Sequence, residues 1–222
     1  MTLKQNKLIL SILAVVLFFT TISSSLRSFA AEEDNNNAEI TMMSDVNKVN
    51  NLSDTLIELS LSKDNIVSKY EIAENGQTTG IINVKGASDD VYYNLYVNSE
   101  NNVEFVSKQE AHSNGNTSFN LYSLESNGKL SLAMTETADK DGKLIPKKVK
   151  REINQAALKW ACIFSSYLAC IGVAAAAGFG GALVSGPFGA AAGFAGGAAC
   201  RYVFQTLVEK YGSKKQACKV LS

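Results

Sequence analysis

Histidine is nearly absent from this chain: His112 is the only one in 222 residues. A histidine-based metal cluster therefore cannot form, and no Cys-x-x-Cys spacing supplies an alternative. No Gly-x-Ser-x-Gly is present, and the one adjacent carboxylate pair, Asp89-Asp90, falls in a predicted turn where solvation explains it. These gaps leave little to catalyse with, so neither an enzyme nor a cofactor is expected. Proline is equally scarce, with only Pro146 and Pro187. The most telling lack is of charge: from Trp160 to Cys200 the chain runs 41 residues without a single Asp, Glu, Lys or Arg.

Formal net charge is zero, but that balance conceals two opposite halves. Residues 31–146 hold 19 Asp and Glu against 8 Lys and Arg, a net of −11, whereas residues 147–222 hold 10 Lys and Arg against 2 Glu, a net of +8. Halves of opposite sign attract at separations below a Debye length, and salt weakens that attraction. The pattern predicts intramolecular masking of the basic half by the acidic one. Nucleic acid is not an expected partner, because the acidic half lacks a basic–aromatic surface and the apolar run interrupts the basic half.

Residues 1–30 have the layout of a signal peptide. Lys4 and Lys7 precede an uncharged stretch of thirteen residues, Leu8 to Thr20, and Ser28-Phe29-Ala30 places small residues at the −3 and −1 positions of a cleavage site after Ala30. The apolar core is shorter than the roughly 20 residues a membrane span needs. No cysteine follows it, which argues against a lipid anchor. The expected location is extracellular, with membrane association.

Residues 31–63 form an acidic lead-in. Its first part, AEEDNNNAEIT (31–41), is too polar to bury and reads as disordered, while 42–63 permits a helix around Leu52, Ile57 and Leu61 with Ser53 or Asp54 as its cap. Residues 64–138 then alternate with period two. IVSKYEIA, GIINVKG, VYYNLYVN, VEFVSKQEA, SFNLYSLES and KLSLAMTET are separated by short breaks rich in Asn, Gly, Asp and Ser. Short connections favour an antiparallel meander, expected to bury one face. Residues 139–151 make a basic linker in which Lys147, Lys148, Lys150 and Arg151 offer a protease site at Lys150-Arg151.

Residues 152–222 carry the distinctive chemistry. The uncharged run contains nine glycines and thirteen alanines, and it is long enough for two crossings of a thin bilayer with a turn at Ser185-Gly186-Pro187-Phe188-Gly189. A helical hairpin over roughly 152–178 and 189–211 is expected. Gly189, Gly193 and Gly197 repeat four apart, as do Gly178, Ala182 and Gly186, and such small residues let helices pack closely in lipid and self-associate. Lys147, Lys148, Lys159, Arg201, Lys210, Lys214 and Lys215 flank the run and suit the anionic headgroups of a bacterial membrane.

Four cysteines in an exported chain point to disulfides. Pairing Cys170 with Cys200 and Cys162 with Cys218 centres both loops near the predicted turn, on residues 185 and 190, and suits antiparallel helices. Crossed pairing, centred on 181 and 194, fits less well. Cys162 and Cys170 would stand about 12 Å apart on one helix, too far to bridge. The expected architecture is α+β: a small antiparallel β-meander followed by a disulfide-linked, Gly/Ala-rich helical hairpin.

A signal peptide, an acidic middle and a basic, cysteine-containing apolar end with WACIFSSYLACIGVAAAAGFGG resemble the precursors of secreted bacteriocins of the halocin-like and sporulation-delaying-toxin types. The resemblance lies in layout and composition, and halocin-like modules carry more cysteine than the four here. It implies an antimicrobial peptide released from a precursor, whose N-terminal part confers protection. Without the resemblance, the same hairpin could anchor an exported surface protein.

Overall fold

The computed structural model describes residues 39–74, 76–146, 154–164, 200–202, 204–206 and 210–221. The chain divides into two compact units, Met1–Asn37 and Ala38–Ser222, and every described residue belongs to the second. The signal peptide with its cleavage point at Ala30 lies outside the described residues.

Seven strands pair in sequence order into one antiparallel sheet: β1 (Glu39–Met42), β2 (Ile66–Glu74), β3 (Gln77–Lys85), β4 (Val91–Val97), β5 (Val103–Ala111), β6 (Thr117–Leu124) and β7 (Leu130–Ala138). The six strands from β2 onward coincide with the six period-two segments. Each neighbour follows by a short turn, so the alternation of one strand extends across the next in register: Ile81 opposes Tyr96, Tyr96 opposes Phe105, and Phe105 opposes Ser123. Gly128, at φ +78°, takes the left-handed conformation required by the turn between β6 and β7.

β1 departs from the disordered lead-in expected for 31–41. Ile40 pairs with Ile72 and Met42 with Tyr70, although all four β1 side chains are exposed. Backbone hydrogen bonding along an open edge requires no apolar side chain to bury, so composition alone does not reveal such a strand.

Between β1 and β2 the chain forms helix α1 (Leu52–Glu58), which buries Leu52, Thr55 and Leu56 and leaves Ile57 71% exposed. Neither Ser53 nor Asp54 caps it. Asn51 occupies that position, and its amide instead pairs with the start of β5: Val103 N–H donates to Asn51 Oδ1 at 2.7 Å, and Asn51 Nδ2 donates to the Val103 carbonyl at 2.9 Å. The helix is thereby tied to the sheet as another strand would be.

The sheet buries both faces, not the one expected. Leu95, Val97, Ile82, Val84 and Val106 meet α1 on one side. Tyr96, Ile81, Phe105, Phe119 and Leu121 meet the C-terminal helices on the other. Alternation toward two covers makes adjacent positions such as Leu95 and Tyr96, or Phe105 and Val106, both inaccessible to solvent. The second face also includes a buried polar row, in which Asn83 opposes Asn94 and Asn94 opposes Ser107.

The C-terminal cover consists of helix α2 (Gln155–Ile163), helical residues at 200–202 and 204–206, and helix α3 (Lys214–Cys218). Asn154 caps α2 by accepting from Ala156 N at 2.8 Å. The helix stops at Ile163, because Phe164 turns to extended geometry at φ −107°, ψ 138°. A continuous helix over 152–178 is therefore not what these residues form: Phe164 is pulled onto the sheet, where it is 2% exposed. The turn at 185–189 and the small-residue positions Gly178, Ala182, Gly186, Gly189, Gly193 and Gly197 lie outside the described residues. Among the described residues no helix is long and apolar enough to cross a membrane.

Candidate functional site

The two flanks of the uncharged run converge on one patch of the sheet. Trp160, the first residue of the run and the only tryptophan, is wholly buried there. Its indole meets Tyr96 edge-on at 5.4 Å between ring centroids, Phe119 at 6.2 Å and Phe204 at 5.0 Å, while Phe164 lies 5.2 Å from Tyr96. Aromatic pairs at these separations contribute roughly 0.5–1.5 kcal/mol each beyond their burial. Tyr96 and Phe119 come from β4 and β6, Trp160 and Phe164 from α2 and its end, and Phe204 from beyond the run. The cage therefore joins the sheet to both flanks at once.

Helical spacing explains which residues of α2 face inward. Ala157, Leu158, Trp160, Ala161 and Phe164 recur at three- and four-residue intervals and are all buried. Lys159 projects the other way and forms an ion pair with Glu104 on β5. Through this pair a predicted headgroup contact meets the acidic half directly. Its lysine side chain is 57% exposed, so it orients the helix more than it stabilises it.

A disulfide closes the module from below. Cys162 on α2 is bonded to Cys218 on α3, with their Cα atoms 5.7 Å apart across a sequence separation of 56. This is the outer of the two nested bridges expected from spacing. Cys200 is buried and disulfide-bonded as well, while Cys170 lies outside the described residues. Ala217 brings α3 into the same core as Trp160.

Two polar groups in this seat stand out. The Trp160 indole N–H is buried with no acceptor among the described residues, a state that costs about 1–3 kcal/mol relative to a bonded donor. The Tyr96 hydroxyl lies 3.3 Å from Ser107 Oγ, to which Asn94 Nδ2 also donates at 3.1 Å. Burial drives the Tyr96 hydroxyl far above the ordinary tyrosine value, against the opposing pull of its hydrogen bonds to Ser107 and Asn94. The seat is thus largely apolar, but it also buries polar side chains, among them Glu136 of β7, which stands opposite Phe119.

The remaining predicted cations divide into two groups. Lys210 and Lys215 are exposed, and Lys210 lies 5.3 Å from the centroid of the Tyr211 ring. Arg201 is partly buried. Lys214 begins α3, and its side chain, like Lys147, Lys148, Lys150 and Arg151 of the basic junction, lies outside the described residues. Elsewhere His112 Nε2 lies 2.7 Å from Ser118 Oγ on an exposed part of the sheet, where Ser118 also faces Thr137 Oγ1 at 3.5 Å. Among the described residues no three His, Cys, Asp or Glu side chains gather in a way that could hold a metal.

Sequence reasoning located the flanks and the outer cysteine pair but not the cage. Tyr96 lies in VYYNLYVN, one of the period-two segments, but nothing in that alternation marks its face as the seat of a distant helix. No family model, curated protein or solved structure matches this chain.

Proposed function

We propose that the chain is the secreted precursor of a membrane-active antimicrobial peptide. Its C-terminal module inserts into bacterial membranes containing anionic lipid after release from the acidic region that masks it. The observation that carries this reading is the seating of both flanks of a 41-residue uncharged run on the β-meander, through the cage around Trp160. Masking is then chiefly apolar, with Lys159–Glu104 and the opposite net charges adding long-range attraction. An acidic sheet that covers Trp160, Phe164 and Phe204 withholds the side chains that would otherwise partition into an interface.

The unbonded indole N–H favours transfer. In the seat it has no acceptor among the described residues, whereas at a membrane interface tryptophan keeps its ring in apolar surroundings and its N–H in contact with water or headgroups. The basic junction at 147–151 supplies the cut, and the small-residue positions in the run supply close packing once it is in lipid. The Cys162–Cys218 bridge fits an extracellular destination.

The test is mass spectrometry of the culture medium, combined with a membrane-potential dye on bacteria exposed to the recovered material. The expected result is a fragment starting within residues 148–152, bridged between Cys162 and Cys218, that depolarises cells. Full-length chain alone, without depolarisation, would overturn the reading. A second reading, an exported surface protein anchored by the same run, is favoured by the packing of module and sheet into one core. It predicts intact protein that resists extraction from membranes by alkaline washing.

A further inference from the structure

We propose that both flanks of the uncharged run stay on the side from which the protein approaches the membrane, so that the run can enter only as a closed loop. This rests on the membrane-active reading above and specifies its topology. Cys162, the third residue of the run, and Cys218, beyond its end, enclose all but its first two residues and are covalently joined with Cα atoms 5.7 Å apart. If the chain between them crossed an odd number of times, these two residues would lie on opposite faces of a hydrocarbon layer about 30 Å thick. The bridge forbids that separation.

A second observation points the same way without the disulfide. Trp160 and Cys200, the two ends of the run, belong to one core cluster, and the Trp160 and Phe204 rings stand 5.0 Å apart. The flanks are thus neighbours before any lipid is met. The remaining alternative, drawing the bridge itself into the bilayer, would carry Lys159, Lys215 and Lys219 with it, each within three residues of a bridged cysteine. Charged side chains in the hydrocarbon centre are strongly disfavoured. The exposed Lys210 and Lys215 therefore bind headgroups of the entry leaflet only.

The topology is read with trypsin placed on one side of vesicles made of phosphatidylethanolamine and phosphatidylglycerol. The protein is the full secreted chain cut in its basic junction, with both pieces retained. In one arm trypsin is outside; in the other it is enclosed in the vesicle lumen with a protein inhibitor outside, both too large for a dye-sized leak. The expected result is cleavage after Lys210 and Lys215 by external trypsin and none by lumenal trypsin. Lumenal cleavage at either lysine with the bridge intact would overturn the proposal. Protein folded, then reduced and alkylated before addition, serves beside a Cys162→Ser/Cys218→Ser variant, so that a folding defect in the variant does not decide the outcome. Lumenal cleavage is expected to appear in one or both, and its absence from both would show that the bridge does not enforce the topology. Flotation separates the two levels: protein that fails to float with vesicles refutes membrane activity itself, whereas floating protein with lumenal cleavage refutes only the closed loop.

Discussion

Trp160 is the side chain on which the docking of the C-terminal module depends most. It fills the space among Tyr96, Phe119 and Phe204, and no smaller residue in α2 could reach all three. Replacing Trp160 with Ala should cost about 3–5 kcal/mol, seen as a lower urea midpoint for the C-terminal module while the strand signal of the sheet persists. Tyr96 makes a pH-dependent contribution. Its folded-state hydroxyl holds a proton above the ordinary value of 10.0, at which the unfolded chain releases it. The native state therefore binds more protons once pH exceeds that value, and stability is complete below it and falls above it, by up to about 1.4 kcal/mol per pH unit. Burial shifts Tyr92 and Tyr93 in the same direction, so Tyr96→Phe should flatten the alkaline decline in part, as measured by urea unfolding across an alkaline pH series.

Among the elements, the disulfide and the amide tether are the separable parts. The Cys162–Cys218 bridge closes a separation of 56 residues. Chain-entropy reasoning assigns such a loop roughly 4 kcal/mol, so the double Ala variant should lose most of that in denaturant unfolding. Asn51→Ala removes both hydrogen bonds to Val103 and leaves a partly buried backbone pair unsatisfied. It should cost about 1–3 kcal/mol, with hydrogen exchange rising in α1 before the central strands. Strands β2 to β7 were legible because each alternates and ends in turn residues. The existence of α1 was also legible, from Leu52 and its neighbours, but its cap was not. Asn51 turned to a partner 52 residues away, and no local pattern encodes that contact. β1 escaped notice because an edge strand is held by its backbone. The end of α2 at Phe164 escaped for a related reason: tertiary packing against Tyr96 outweighed the helical continuity implied by an apolar run.

At the scale of the whole molecule, the two-faced sheet explains how opposite charge and apolar character coexist in one chain. α1 occupies one face, which leaves the other as a dedicated seat for the C-terminal flanks. The charge asymmetry was visible in the sequence, whereas the structure packs the acidic strands and the basic flanks into one compact unit, Ala38–Ser222. The seat was not visible, because it consists of contacts between β4, β6 and residues more than forty positions later. All four cysteines lie in the module, so no disulfide joins it to the sheet and a cut at 147–151 leaves only non-covalent contacts to overcome. The most direct test of this account is release of a self-quenched dye from vesicles containing phosphatidylglycerol, with the secreted chain added intact or cut in its basic junction. The account predicts leakage from the cut chain at micromolar concentration, little from the intact chain, and a smaller effect in high salt. No leakage from the cut chain would contradict it.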